Sequence, residues 1–180
     1  MSVATRMSVE EFQALPDPRG NFFDTHELHD GEIVEVLGPT GEHVDIQKRL
    51  ERLLEQVMPS SFGVYREFYY TLPEQSRRAD VAMVRHSRRE EQHKQVFFGA
   101  PEILVEVLSE SNGAGELGRL RRECLAGACQ EFWIIDPFDR TVEVYGQNGE
   151  FHQYGPDHTA KLHLEGCEYQ VSVRSIFSGR

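Results

Sequence analysis

Two acidic residues, Asp80 and Glu106, stand in or beside predicted β-strands, where carboxylates are uncommon. Glu106 interrupts the apolar run at 102–108, which is typical of a buried central strand. A buried carboxylate is costly unless it is neutralised, paired with a cation or bound to a metal. Two interpretations are therefore open for Glu106: a structural ion pair with an arginine, or a metal ligand.

Asp80 lies 26 residues before Glu106, at the start of the preceding predicted strand. An Asp at such a position is commonly a solvated turn residue, which is the alternative to a functional role. If the two strands are neighbours, however, both carboxylates converge at one point. Two carboxylates, together with waters and a substrate phosphate, suit Mg²⁺ or Mn²⁺. Such a centre can activate water for attack on a phosphodiester.

The elements that must position these carboxylates follow from hydrophobic periodicity and turn signals. Ile46, Leu50 and Leu54 recur at helical spacing in a helix predicted over 42–58. The polar segment 85–95 is expected to be a solvated loop. Strands are predicted at 26–37 (a hairpin around Asp30-Gly31), 64–72, 79–84, 102–108, 132–135, 141–145, 151–154 and 169–173, and further helices at 8–15, 114–127 and 174–177. This mixture predicts an α/β (α+β) fold with a mixed sheet.

Composition limits the classes of function. With 180 residues and 39% hydrophobic content, the chain is expected to form one domain over 1–180. It has no apolar run long enough for a membrane span and no signal-peptide pattern, and its three cysteines are typical of a cytoplasmic protein. The net charge of −11 argues against a broad grip on duplex DNA, so nucleic-acid binding would require a local basic strip. The candidates for that strip are Lys48, Arg49, Arg52, Arg77, Arg78, Arg119, Arg121 and Arg122.

Asp80 followed by Glu106 in a buried strand resembles the paired motifs of the PD-(D/E)XK nuclease superfamily. Further segments resemble one branch of it, the Uma family of restriction-endonuclease-like proteins, in an order and spacing that cover the chain from about residue 8 onwards. Those segments are ELHDGE at 27–32, the turn before His43 and the long helix, RADVA at 78–82, PEILVEVLS at 101–109, Ser111-Asn112, EFWIIDP at 131–137 and TVEVY at 141–145.

The resemblance implies a restriction-endonuclease-like core with flanking helices and a C-terminal β-hairpin. It implies that Asp80 and Glu106 bind a divalent metal, Mg²⁺ or Mn²⁺, and that Glu27 adds a carboxylate. The activity implied is hydrolysis of phosphodiester bonds in DNA by a homodimer that cuts both strands. His43 falls where the family often has a His, and the alternative for it is a surface role.

The sequence departs from the superfamily pattern at the lysine. The usual position, two residues after Glu106, holds Leu108, and the position that the Uma family uses on the following helix falls on Leu120. Arginine can hold a phosphate or stabilise negative charge, but it cannot act as a general base. We therefore expect Arg121 or Arg119 to point toward the two carboxylates and to act electrostatically. The second hypothesis is a nuclease fold without cleavage activity that serves as a binding or assembly module.

Overall fold

The computed structural model describes residues 6–18, 20–109 and 113–178, in which helices flank a mixed β-sheet. The predicted fold class is confirmed. In chain order the elements are α1 (Val9–Gln13), α2 (Phe22–Thr25), β1 (His26–His29), β2 (Glu32–Glu35), α3 (Gly41–Val57), β3 (Phe62–Leu72), β4 (Gln75–Arg85), α4 (His86–Glu91), β5 (Phe97–Phe98), β6 (Ile103–Val107), α5 (Ala114–Ala126), β7 (Glu131–Asp136), β8 (Thr141–Gly146), β9 (Phe151–Tyr154), β10 (Thr159–Leu164), β11 (Cys167–Ser172) and α6 (Val173–Phe177).

Local signals account for the N-terminal elements. The Ser8 hydroxyl accepts a hydrogen bond from the Glu11 backbone, and the Glu11 carboxylate accepts one from the Ser8 backbone, so a capping box begins α1. Asp30 and Gly31 both have positive φ, 51° and 78°, as a two-residue turn between β1 and β2 requires. The sequence alone therefore places the hairpin that carries Glu27.

Strand β4 has two different partners on one of its edges. In the main sheet, β3 pairs with β4 antiparallel from one end to the other, with a single gap in the pairing at Glu67 and Asp80. Ser76 pairs with Leu28 of β1, whereas residues 81–83 pair with β6. Because these β4 residues also pair with β3, both β1 and β6 lie on the edge away from β3. Within the described residues, the stretch 77–80 between them has no strand partner on that edge, and this leaves room for a pocket.

Two hydrophobic cores cover the two faces of the sheet. On one face, Ile46 and Leu50 of α3 pack with Val81 and Val105, and the hairpin β10–β11 and α6 extend this core. On the other face, the core contains Leu120 and Cys124 of α5 and side chains from β3, β4, β6 and β7. Strands β6 and β7 are parallel, as expected for neighbours connected through the crossover helix α5.

The structure corrects one expectation from the sequence and adds a strand that the sequence analysis did not predict. The segment 85–95 is not all loop, because it contains α4. Arg88 of this helix bonds to the Ala100 carbonyl, pairs with Glu102 at 3.0 Å and lies over the Phe97 ring, so tertiary contacts stabilise a helix that has no apolar periodicity. Strand β10 was also missed, although its alternating exposed and buried residues are typical of an amphipathic strand.

None of the helices in the described ranges has the length and apolar character needed to cross a lipid bilayer.

Candidate active site

Asp80 and Glu106 lie on neighbouring strands. Val81 of β4 stands opposite Val105 of β6, and extending this antiparallel register by one residue sets Asp80 across from Glu106. The Asp80 Oδ2 atom accepts a hydrogen bond of 2.7 Å from the Val107 backbone N–H. Both carboxylates line one cavity of about 710 Å³, here called the pocket, which also involves β1, α3 and α5.

The Asp80 side chain faces α3, beside an unusual backbone conformation in the neighbouring strand β3. Successive side chains of a regular strand point to opposite faces. Here, however, Asp80 bonds to residues of α3, while Val81 packs in the core beneath the same helix. Glu67, opposite Asp80 in the β3–β4 register, has a φ of +51°, which is uncommon for a residue other than glycine. The alternation of side chains between the two faces is interrupted here. Ala79 packs beneath α5, as Phe68 does, although Val81, two residues further along β4, packs beneath α3.

Side chains of α3 hold Asp80 in place. His43 Nε2 lies 2.8 Å from Asp80 Oδ1, and the Gln47 amide donates to the same oxygen at 2.7 Å. The Gln47 amide also contacts the Glu67 carboxylate at 2.5 Å, so one buried amide joins two acids. Burial opposes charge on His43, but the hydrogen bond and attraction from Asp80 outweigh it and raise the pKa of His43. His43 thus lies in the pocket and contacts Asp80.

Glu106 is half-buried at the pocket and surrounded by like charges. Burial raises the pKa of Glu106 well above its ordinary range, and the negative charges of Asp80 and Glu27 raise it further. Arg77 acts in the opposite direction. A divalent cation would relieve this repulsion. The residues present fit Mg²⁺, which is usually held by one or two carboxylates and keeps several waters. The described residues contain no group of three or more His, Cys, Asp or Glu placed to hold a metal ion by themselves.

Glu27 reaches the pocket from β1. Its carboxylate lies 2.7 Å from His29 Nε2 and 3.9 Å from Arg77 Nη1. The other ring nitrogen of His29 lies 2.6 Å from Glu116 of α5, and Arg77 Nη1 lies 2.8 Å from the same carboxylate. The pocket therefore contains a network of two acids and two basic side chains beside the pair formed by Asp80 and Glu106.

The structure leaves Arg121 and Arg119 outside the pocket. The Arg121 guanidinium lies 3.8 Å from the centre of the Tyr145 ring, and Arg119 pairs with Asp30. Leu120 itself is buried and lines the pocket. Successive residues of a helix point about 100° apart, and Arg119 and Arg121, on either side of Leu120, do not line the pocket. Among the described residues, the arginines that line the pocket are Arg77 and Arg78.

Comparison with known proteins identifies the family of the chain. A family model described as "Putative restriction endonuclease" matches residues 9–172. The chain belongs to the Uma2 family. The resemblance to the Uma family found in the sequence is therefore confirmed, and Glu27, Asp80 and Glu106 lie within the matched range.

A crystal structure titled as a putative nuclease belonging to DUF820, from Anabaena variabilis, is similar to this Uma2 protein with a TM-score of 0.80. The alignment covers 95% of this chain and 97% of the other at 24% sequence identity, which shows a common fold. None of the curated proteins matches the chain.

Sequence reasoning missed Glu67 and Glu116 as pocket residues and did not place Arg77 beside Glu27. No hydrophobic periodicity in the sequence marks Glu67 as a pocket residue. Its distinguishing feature is a positive φ, which is seen only in the structure. Glu116 lies one helical turn before Leu120, so helical spacing could have placed both on the same face of α5.

Proposed function

We propose that this Uma2 protein is a metal-dependent endonuclease that hydrolyses phosphodiester bonds in DNA, with Mg²⁺ or Mn²⁺ held by Asp80 and Glu106. The observation that carries the proposal is the convergence of these two carboxylates, from adjacent strands, on one pocket in which the pKa of Glu106 is raised. The family description and the fold of the Anabaena variabilis protein support a nuclease.

In the proposed reaction, Asp80, Glu106 and Glu27 have different roles. Asp80 is kept in one orientation by the Val107 backbone, Gln47 and His43, so its carboxylate is preorganised. Burial and the neighbouring acids raise the pKa of Glu106, and only its deprotonated form would be a ligand, so metal binding is expected to strengthen as the pH rises. When bound, the ion supplies a Lewis acid for the phosphate and a more acidic water. Glu27 lies close enough to influence Glu106 and supplies a further carboxylate.

Contact with DNA must be local because the chain carries a net charge of −11. The Arg78 guanidinium pairs with Glu67 at 3.0 Å, and Arg119 and Arg121 are also engaged. We therefore propose few phosphate contacts per protomer, with residues 1–180 acting as one domain of a homodimer that presents two pockets. Light scattering at several protein concentrations tests the homodimer, and a monomer at all of them contradicts it.

Calorimetric titration with Mn²⁺ tests the metal site. Asp80→Asn and Glu106→Gln should each weaken Mn²⁺ binding at least tenfold, since each removes a charged ligand. Glu150→Gln, an exposed acid on the β8–β9 hairpin, is the matched control and should bind as the wild type does. Thermal unfolding confirms that each variant is folded. Equal Mn²⁺ affinity in all three variants would rule out the proposed ligands.

A nuclease-fold protein that binds without cutting is the second candidate function. It is favoured by Leu120, an apolar residue lining the pocket where the resemblance places a lysine. Wild-type protein that binds Mn²⁺ at the pocket, yet leaves supercoiled plasmid, single-stranded DNA and RNA intact over hours, would establish this alternative. Cleavage of any DNA that is lost in Glu106→Gln would exclude it.

A further inference from the structure

Arg77 is a buried arginine of β4 with one end at the pocket. The residue is only 7% exposed, and its guanidinium is held on two sides. Its Nε donates to the Gln75 side chain at 2.7 Å, and its Nη1 donates to Glu116 at 2.8 Å. Arg78 differs, because its Nε, Nη1 and Nη2 all have partners, from Glu67, Tyr69 and the Asp24 carbonyl.

The second terminal nitrogen of Arg77, Nη2, is the donor left available to a ligand. Within the described part of the chain no hydrogen bond or ion pair involves it. No fully buried side-chain nitrogen or oxygen there lacks a hydrogen-bond partner. Nη2 is therefore not fully buried, and the cavity that Arg77 lines is the pocket of Asp80 and Glu106.

The positive charge of Arg77 interacts electrostatically with two acids of the pocket, Glu106 and Glu116. It lowers the pKa of Glu106 against the effects of burial and of Asp80, and it contributes to lowering that of Glu116. Helix α5 carries Leu120 and, one turn earlier, Glu116 on this side. Glu116 of α5 thus orients the guanidinium of Arg77 of β4. Among the described residues, the arginines that line the pocket belong to the sheet and not to α5.

We propose that Arg77 donates from Nη2 to a non-bridging oxygen of the scissile phosphate, and that Glu116 is the positioning residue that aims it. The proposal rests on the proposed function and names the residue that stabilises the charge of the transition state. In this role the Arg77 guanidinium acts as a cationic hydrogen-bond donor and forms no covalent bond. Its contribution is electrostatic, in a site where a preorganised donor is worth about 10²–10³ in kcat.

The test compares Arg77→Gln and Arg77→Lys with Arg88→Gln, an arginine of α4 that pairs with Glu102 outside the pocket. Plasmid cleavage gives kcat and KM with Mg²⁺. Binding of a DNA duplex with Ca²⁺, as a non-cleaving ion, gives the salt dependence of log K. Titration with Mn²⁺ gives the metal affinity without DNA.

We expect Arg77→Gln to lower kcat about 100-fold and to reduce the salt slope by about 0.9, the value for one lost phosphate contact. Its Mn²⁺ affinity should stay equal or rise, because a repelling cation has been removed from beside the ligands. A merely structural arginine would instead lower Mn²⁺ affinity as the pocket loosens. Arg77→Lys should recover part of kcat, and Leu120→Lys in the Arg77→Gln background should do the same by restoring a cation.

Glu116→Gln keeps the proposal testable should Arg77→Gln fail to fold, because it loosens Arg77 without removing it. We expect a lower kcat and an unchanged salt slope. The role of Arg77 is overturned if a folded Arg77→Gln keeps both kcat and the salt slope of the wild type. It is also overturned if Glu116→Gln keeps the wild-type kcat. Either result leaves the proposal of a metal-dependent nuclease intact. Wild-type protein that neither binds Mn²⁺ nor cleaves DNA overturns both proposals.

Discussion

The Arg77 guanidinium lies 2.8 Å from the carboxylate of Glu116, and this ion pair ties strand β4 to helix α5 beside the pocket. The two residues are 39 positions apart in the chain. Burial works against the charge of Glu116, but hydrogen bonds from Arg77 and His29 outweigh it and lower the pKa of Glu116. The contact is therefore an ion pair at neutral pH.

Glu116→Gln should cost little stability at pH 7. The Glu116 side chain is 44% exposed, so solvent screening limits the loss to about 0–1 kcal/mol. A lowered pKa means that the stabilisation is present above the unfolded-state pKa and is lost as the pH falls through the folded-state pKa. Urea unfolding at pH 7 and pH 3 measures this, and a difference from wild type that persists at pH 3 would contradict it.

Glu106→Gln should stabilise the metal-free protein at alkaline pH. Because burial and neighbouring acids raise the pKa of Glu106, the folded state holds its proton more tightly than the unfolded state does. Wild-type stability therefore falls as the pH rises from the ordinary range of Glu toward the folded-state pKa, by at most about 1.4 kcal/mol per pH unit for one proton.

Thermal unfolding in EDTA from pH 4.5 to 8 measures this difference, with Glu150→Gln as the control. Adding Mg²⁺ should reverse the order, since the ion stabilises the wild type and finds one ligand fewer in the variant. A variant that is less stable than wild type throughout this range without metal would show that Glu106 is structurally paired and not electrostatically strained.

The left-handed backbone at Glu67 should be measurable as strain. Glu67→Ala and Glu67→Gly both lose the contacts with Gln47 and Arg78, so their difference isolates the backbone. Left-handed geometry costs an L-residue about 1–2 kcal/mol, and the greater unfolded-state freedom of glycine offsets about 0.5–1 kcal/mol of this. We expect Glu67→Gly to be more stable than Glu67→Ala by about 0.5–1 kcal/mol in urea unfolding. The reverse order would mean that φ is not positive at Glu67 in solution.

Glu131 is a second buried acid whose titration should make the stability of the protein depend on pH. It lies where the C-terminal hairpin β10–β11 contacts the main sheet. It is buried, accepts from the Trp133 indole N–H at 2.8 Å, and accepts from the His163 backbone at 2.8 Å. Burial raises the pKa of Glu131 despite these hydrogen bonds. Its contribution to stability should therefore decline as the pH rises above the ordinary range of Glu.

Glu131→Gln keeps an oxygen for the Trp133 bond and should flatten this part of the pH dependence. Trp133 is the sole tryptophan, so its fluorescence reports both the titration and urea unfolding between pH 4 and 7. Glu55→Gln, an exposed acid on α3, is the control. Identical pH profiles for Glu131→Gln and wild type would contradict the raised pKa.

Local patterns were sufficient to predict the elements that carry the site. The apolar spacing of α3, the Asp30-Gly31 turn and the interruption of β6 by Glu106 are each contained within about ten residues. The expectation that Asp80 and Glu106 lie on neighbouring strands rested on the tendency of consecutive predicted strands to pair, and β4 does pair with β6 although the short strand β5 lies between them in the chain. The family resemblance added Glu27, and the structure brings it to the same pocket.

What the sequence by itself determined is therefore the kind of fold, the Uma2 resemblance and three of the acids that line the pocket, Glu27, Asp80 and Glu106, since these depend on residue type and local spacing. Only the tertiary structure decided which basic side chain lies beside these acids in the pocket. Arg121 turned to Tyr145, while Arg77 reached the pocket because β1 and β6 separate along one edge of β4. Strand divergence, the reversed faces at Glu67 and the meeting of Arg77 with Glu116 arise from contacts between distant segments, which leave no local periodicity in the chain.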